Sequence, residues 1–185
     1  KTYLLTPGPT QIPGSVISKF AQPIVHHRTP AFMKLFEDVK HNLKYLFQTE
    51  QDVMMLAATG TGAMDASVSN LFSPGEKVIT VNGGKFGERW TKISKAYGLN
   101  PIEIKLAPGQ AVTPGQIQQT LNDHPDAKGV LFQASETSTG VCMPTKEICE
   151  IAKKAGVLAV CDAITALGVF ELPMDARGID VLIAG

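Results

Sequence analysis

Short β-rich runs alternate with helical stretches along this chain, and no other feature limits its fold so strongly. The runs at 53–58, 77–81, 102–106, 129–134, 157–161 and 180–184 read as strands, and the stretches near 63–72, 85–97, 114–122 and 145–155 read as helices. Strands that read as near-continuous apolar runs are covered on both faces, and strands alternating with helices run mostly parallel. The expected fold is therefore α/β, a three-layer α/β/α domain around a mostly parallel sheet. Ahead of the alternation, Phe32, Leu35, Phe36, Val39, Leu43, Leu46 and Phe47 recur at helical spacing and predict an amphipathic helix. One helix start is marked in full: Thr113 as cap, Pro114 at the first helical position and Gln116 completing a capping box.

The first 20 residues differ from the rest. Thr6-Pro7-Gly8-Pro9-Thr10 and Ile12-Pro13-Gly14 cannot hold a long regular element, so 1–20 read as an ordered arm and 21–185 as the main body. Lysine plus arginine, 17, balances aspartate plus glutamate, 17, which argues against nucleic acid or an anionic membrane as partner. No apolar run reaches the ~18 residues of a membrane span, and nothing at the start reads as a secretory leader. Cys142, Cys149 and Cys161 have neither disulfide-framework nor zinc spacing, so a reducing, cytoplasmic setting is expected, with no metal. Cys149, among Ile148, Ile151 and Ala152, reads as core, and His26-His27 as loop residues that hydrogen-bond backbone.

Two strand ends carry the chemistry. Val157-Leu158-Ala159-Val160-Cys161 delivers Asp162 where an apolar strand would emerge, and an unpaired carboxylate there costs several kcal/mol, so it should face a cation or a protonated ring nitrogen. A helix cap or a partnership with Arg177 is the plainer alternative. Val53-Met54-Met55-Leu56-Ala57-Ala58 leads into Thr59-Gly60-Thr61-Gly62 and a helix, where glycines let the backbone approach an anion and the first amides attract it. Taken alone, that glycine pair could be a tight turn. Asp65 stands where a dinucleotide fingerprint needs its third glycine, and the strand ending Thr80-Val81-Asn82 lacks the acid that would bind a ribose, which excludes a nicotinamide dehydrogenase. Phosphate at one strand end and a cationic nitrogen at another describe pyridoxal 5′-phosphate.

The whole chain, moreover, resembles the class V aminotransferases of pyridoxal-phosphate fold type I, and within them the alanine–glyoxylate and serine–pyruvate group. The resemblance runs through Leu4-Leu5-Thr6-Pro7-Gly8-Pro9-Thr10, His27-Arg28-Thr29-Pro30-Ala31-Phe32, Thr59-Gly60-Thr61-Gly62 and Asn82-Gly83-Gly84-Lys85-Phe86-Gly87-Glu88-Arg89. It continues through Glu136-Thr137-Ser138-Thr139-Gly140, Asp162-Ala163-Ile164-Thr165-Ala166-Leu167-Gly168 and Gly178-Ile179-Asp180-Val181-Leu182-Ile183-Ala184-Gly185. It implies that Thr61, Gly62 and Ala63 give amides to the cofactor phosphate. Phe86 would stack on the pyridine ring, where relatives often carry tryptophan. Thr137 would bond near the ring hydroxyl, Asp162 would pair with the ring nitrogen and act catalytically, Ile164 would pack under the ring, and Gly8 of the arm would lie near the substrate carboxylate. On this resemblance 21–185 is the N-terminal part of the cofactor-binding large domain, truncated before the catalytic lysine. A Ser-Gln-Lys is expected to follow Gly185, with the substrate-binding arginine beyond it.

The function expected is amino-group transfer from a small amino acid such as alanine or serine to a 2-oxo acid such as glyoxylate or pyruvate, by a homodimer. Two alternatives stand beside it: a lyase or desulfurase with the same cofactor cradle, and a non-catalytic binding partner that kept the fold.

Overall fold

The structure, a computed structural model, describes residues 3–185 and divides into two units, 1–43 and 44–185. Lys1 and Thr2 of the predicted arm lie outside the described residues. In the first unit, Thr6 Oγ1 donates to Pro9 O (2.9 Å), and a short helix α1 (Gly14–Phe20) follows, with no buried residue. His26 Nδ1 accepts the Arg28 amide at 3.2 Å and Thr29 Oγ1 accepts that of Phe32 at 3.3 Å, opening the amphipathic helix α2 (Pro30–Phe47). The last turn of α2 belongs to the second unit.

The second unit continues with α3 (Gly60–Leu71), β1 (Lys77–Asn82), α4 (Gly87–Ala96), β2 (Asn100–Lys105), α5 (Pro114–Asp123) and β3 (Gly129–Gln133). A hairpin of β4 (Ser135–Glu136) and β5 (Val141–Cys142) precedes α6 (Thr145–Ala155), β6 (Leu158–Asp162), α7 (Met174–Arg177) and β7 (Val181–Ile183). The main sheet is parallel throughout, in the order β2-β1-β3-β6-β7. Apolar runs require that burial: β3 is buried at every residue, and β6 at every residue after its first. On one face, Val78, Leu131, Val160 and Ile183 of the strands pack with Met64 and Val68 of α3 and Trp90 and Ile93 of α4. On the other, α6 packs on β6 and against α5, burying Ile148, Cys149 and Ala152. The predicted capping box is present: Thr113 Oγ1 accepts from the Gln116 amide (3.2 Å), and Gln116 Oε1 accepts from the Thr113 amide (2.9 Å).

One predicted strand is absent. Residues 53–58 form no ladder and are mostly exposed, Met54 at 84% and Leu56 at 52%. An apolar run becomes a strand only where a neighbour takes its N–H and C=O groups, and no described strand lies alongside this one.

The strand order places the site. From β1 the chain steps outward to β2 and then returns past β1 to β3, so its direction reverses at the β1–β3 boundary. In such sheets ligands settle beyond the carboxyl ends of the strands at that reversal. The segments leaving β1, β3 and β6 there carry Phe86, Glu136 with Thr137, and Asp162.

Candidate functional site

Asp162 ends β6, and the period of two places it on the face of Val160, which α3 and α4 cover. It is 5% exposed. Its Oδ1 accepts the Ile164 amide at 2.9 Å, and no bond to Oδ2 is recorded among the described residues. Burial pushes its carboxyl above the ordinary carboxylate value; the Ile164 amide and the nearby Arg89 charge pull it back, and the negative charge of Glu136 adds to the rise. Neither plainer alternative describes this residue: it caps no helix, and none of the recorded ion pairs joins it to Arg177.

The glycine-rich segment differs from its prediction in a way that matters. Helix α3 begins at Gly60, not Ala63, so the glycines form its first turn and Thr59 is the cap. Thr59 Oγ1 accepts the Gly62 amide over a long 3.4 Å, and the Ala63 amide donates to Thr59 O at 3.3 Å as the first helical bond. The Gly60 and Thr61 amides make no recorded bond, which leaves them as the open donors at the positive end of the helix. The helix start has little room: a Cβ on Gly62 would come 2.7 Å from Ala58 Cβ, and one on Gly60 would strike Ile164 Cδ1.

Arg89 joins the pieces. It sits three residues beyond Phe86, one helical turn, so its guanidinium lies over the Phe86 ring with the carbon 4.8 Å from the centroid. From there its Nη1 donates to Thr61 Oγ1 at 2.7 Å. Across the site, Thr137 and Thr165 hydroxyls are bonded at 2.8 Å. Thr61, Gly62, Phe86, Asp162 and Ile164 are thus drawn together through Arg89 and Gly60, while Thr137 enters on the segment after β3. The Ala63 amide is held within its helix. Gly8 belongs to the first unit, where it is exposed with open space at the Cβ position.

Sequence reasoning gave no role to Arg89, Glu136 and Thr165. The i, i+3 spacing of Phe86 and Arg89 on a predicted helix could have revealed the first. Glu136, fully buried, accepts the amides of Phe86 (3.3 Å) and Gly87 (2.8 Å) from fifty residues away, and no local pattern announces that.

These residues fit a group with a phosphate and a protonated ring nitrogen. Two open amides and a guanidinium offer an anion site, and a buried carboxylate with an oxygen to spare demands a cation.

The chain is 40% identical to the soluble hydrogenase 42 kDa subunit of Anabaena cylindrica, over all of this chain and 49% of that protein. It superimposes on the aspartate aminotransferase of subgroup IV from Thermus thermophilus with a TM-score of 0.93, at 33% identity, over 100% of this chain and 52% of that one. It matches an alanine–glyoxylate aminotransferase from a Nostoc species equally well in TM-score, 0.93, at 30% identity, over 97% and 48% of the two chains. The chain spans about half the length of the curated relatives it matches. Matched by the family profile over residues 2–185, it belongs to the aminotransferase class-V family, whose cofactor is pyridoxal 5′-phosphate.

Proposed function

We propose that this chain supplies the N-terminal, cofactor-binding part of an aminotransferase that moves the amino group of a small amino acid, alanine or serine, to a 2-oxo acid, glyoxylate or pyruvate. We further propose that the enzyme is a cytoplasmic homodimer. The observation that carries the reading is Asp162, a buried carboxylate with one oxygen committed to the Ile164 amide and the other without a recorded partner. A protonated ring nitrogen is the cation that such an oxygen would hold. Likeness to an alanine–glyoxylate aminotransferase over nearly the whole chain supports the choice of substrates.

Bound pyridoxal phosphate supplies an electron sink for the negative charge left when an amino acid loses its α-proton. The chain's own residues set the conditions for that chemistry. Asp162 keeps the proton on the ring nitrogen, because an opposite charge in a poorly solvated place favours the charged form of its partner. The open amides of Gly60 and Thr61 in the first turn of α3 would hold the phosphate, with Gly62, whose bond to the Thr59 hydroxyl is long, beside them and Ala63, its amide engaged in the first helical bond, at the edge of the turn. Arg89, bonded to Thr61, adds positive charge beside it. Phe86 would stack on the ring and Ile164 would pack under it, keeping water from the ring. Thr137, already tied to Thr165, meets the ring hydroxyl. By the family resemblance alone, Gly8 of the arm would lie near the substrate carboxylate.

Amino-group transfer by the full-length protein, assayed across donors and acceptors, tests this. Transfer from alanine or serine to glyoxylate or pyruvate is expected. Cofactor binding with elimination or desulfuration instead would favour the lyase reading. Cofactor binding with no turnover of any donor would favour a subunit role, the reading that similarity to a hydrogenase subunit supports.

A further inference from the structure

We infer that Glu136 is a positioning residue for the ring-covering side of the site: its buried carboxylate sets the turn that carries Phe86. The inference rests on the proposed stacking of Phe86 against the ring. Glu136 is fully buried at the end of β4, held in the hairpin opposite Val141. Its Oε1 accepts from the Phe86 amide (3.3 Å), the Ser138 amide (3.2 Å) and Ser138 Oγ (2.6 Å), and its Oε2 accepts from the Gly87 amide (2.8 Å). Ser138 Oγ in turn accepts the Lys85 amide at 3.0 Å. Three successive amides, 85 to 87, are therefore tied to one carboxylate, directly or through one hydroxyl.

Those amides open α4, whose cap position is Phe86, a residue with no side-chain acceptor of its own. A charge brought in from another element does the capping, and charge-assisted bonds are the stronger kind. The turn is shaped to let it in. A Cβ on Gly84 would strike Ser138 Oγ and stand 2.8 Å from the Glu136 carboxyl carbon, and a Cβ on Gly87 would come 2.6 Å from Val81 O. Only glycines allow the turn to close on the carboxylate between β1 and the hairpin. Because the bonded residue is Phe86 itself, Glu136 holds the backbone position from which the Phe86 ring projects. The same carboxylate adds negative charge near Asp162 and so strengthens the site's demand for a cation.

Glu136→Gln separates this role from simple packing, since it keeps the volume but replaces one of two accepting oxygens with a donor that faces donors. The test uses the full-length protein carrying its cofactor, measuring dissociation by visible absorbance and ring orientation by visible circular dichroism. Phe86→Ala should weaken retention about fivefold. Glu136→Gln should weaken it by a similar or smaller factor and change the circular dichroism band. In the Phe86→Ala background, Glu136→Gln should add less than about twofold, because a residue that acts through another loses its effect once that other is gone. Fully additive losses, or parental retention in Glu136→Gln, would overturn the inference. If Glu136→Gln does not fold, Ser138→Ala replaces it, with a smaller loss that must also vanish in the Phe86→Ala background. Should Phe86→Ala itself leave retention unchanged, the stacking reading fails and the inference with it. A loss in Phe86→Ala with none in Glu136→Gln sinks the inference alone.

Discussion

Two apolar runs, Val157-Leu158-Ala159-Val160-Cys161 and Val53-Met54-Met55-Leu56-Ala57-Ala58, look alike in sequence and lead into opposite sides of the candidate site. Most of the first is β6, paired with β3 on one edge and β7 on the other and buried from Ala159 onward. The second is exposed and pairs with nothing among the described residues. Their difference separates two requirements that composition merges. Apolar side chains give a segment a reason to be covered, but only neighbouring strands satisfy its backbone. The two sides of the site are consequently held by different means. Asp162 rides on the core of the sheet, whereas the glycine-rich turn at the start of α3 is held by its Thr59 cap and the reach of Arg89.

The sharpest probe of the rigid side is Asp162→Ala in the full-length enzyme. It should fold and bind cofactor, yet lose roughly 10²–10³ in turnover, the scale of removing one preorganised electrostatic partner. Asp162→Asn should lose nearly as much, since a neutral amide cannot hold a pyridinium. Turnover within about a factor of two of the parent would end the assignment.

Next come paired truncations in the two runs. Val160→Ala empties space around a fully buried side chain and should destabilise by about 2 kcal/mol, whereas Met54→Ala should stay within ~0.5 kcal/mol. Denaturant midpoints measure both. Equal losses would mean that the run at 53–58 is as buried as β6, and would break the comparison.

On the other side, Gly62→Val should cost cofactor affinity about tenfold, because the added carbons meet Ala58 at the turn proposed to take the phosphate. Phe86→Tyr keeps a ring and should change affinity less. The reverse order would move the phosphate away from α3.

The smallest effect is a pair of opposed pH dependences in cofactor-free protein. Asp162 has its carboxyl raised by burial, so folding favours its protonated form. That contribution is full below the unfolded chain's carboxylate range and is lost as pH rises through the raised value. Asp175 is lowered by the Thr49 hydroxyl (2.6 Å) and the Glu50 amide (2.9 Å), so its contribution is present above the ordinary value and lost as pH falls. Stability followed from about pH 3 to about pH 6 should lose its decline with rising pH in Asp162→Asn, and part of its decline with falling pH in Asp175→Asn. Two profiles altered in the same direction would contradict this.

Much of the fold was legible because its signals are local. The capping box at Thr113 and Gln116, the helical stripe of α2 and five of six apolar runs each follow from neighbours within a few positions. Asp162 was legible for a related reason: a carboxylate ending an apolar run is costly wherever the chain goes. The start of α3 was less so, because glycine leaves open whether a turn precedes a helix or forms part of it, and the capping bond from Gly62 to Thr59 decides.

By itself, then, the sequence determined which segments seek burial, which ends are capped and where charge meets an apolar strand, since propensity, periodicity and desolvation act over short spans. Only the tertiary structure decided that 53–58 pairs with no strand among the described residues, that Arg89 reaches Thr61 across the Phe86 ring, and that Glu136 holds the amides of Phe86 and Gly87. These are contacts between segments 28 to 50 residues apart, and they exist because the strand order brings the ends of β1, β3 and β6 together, an outcome of how strands find partners rather than of any residue's own preference.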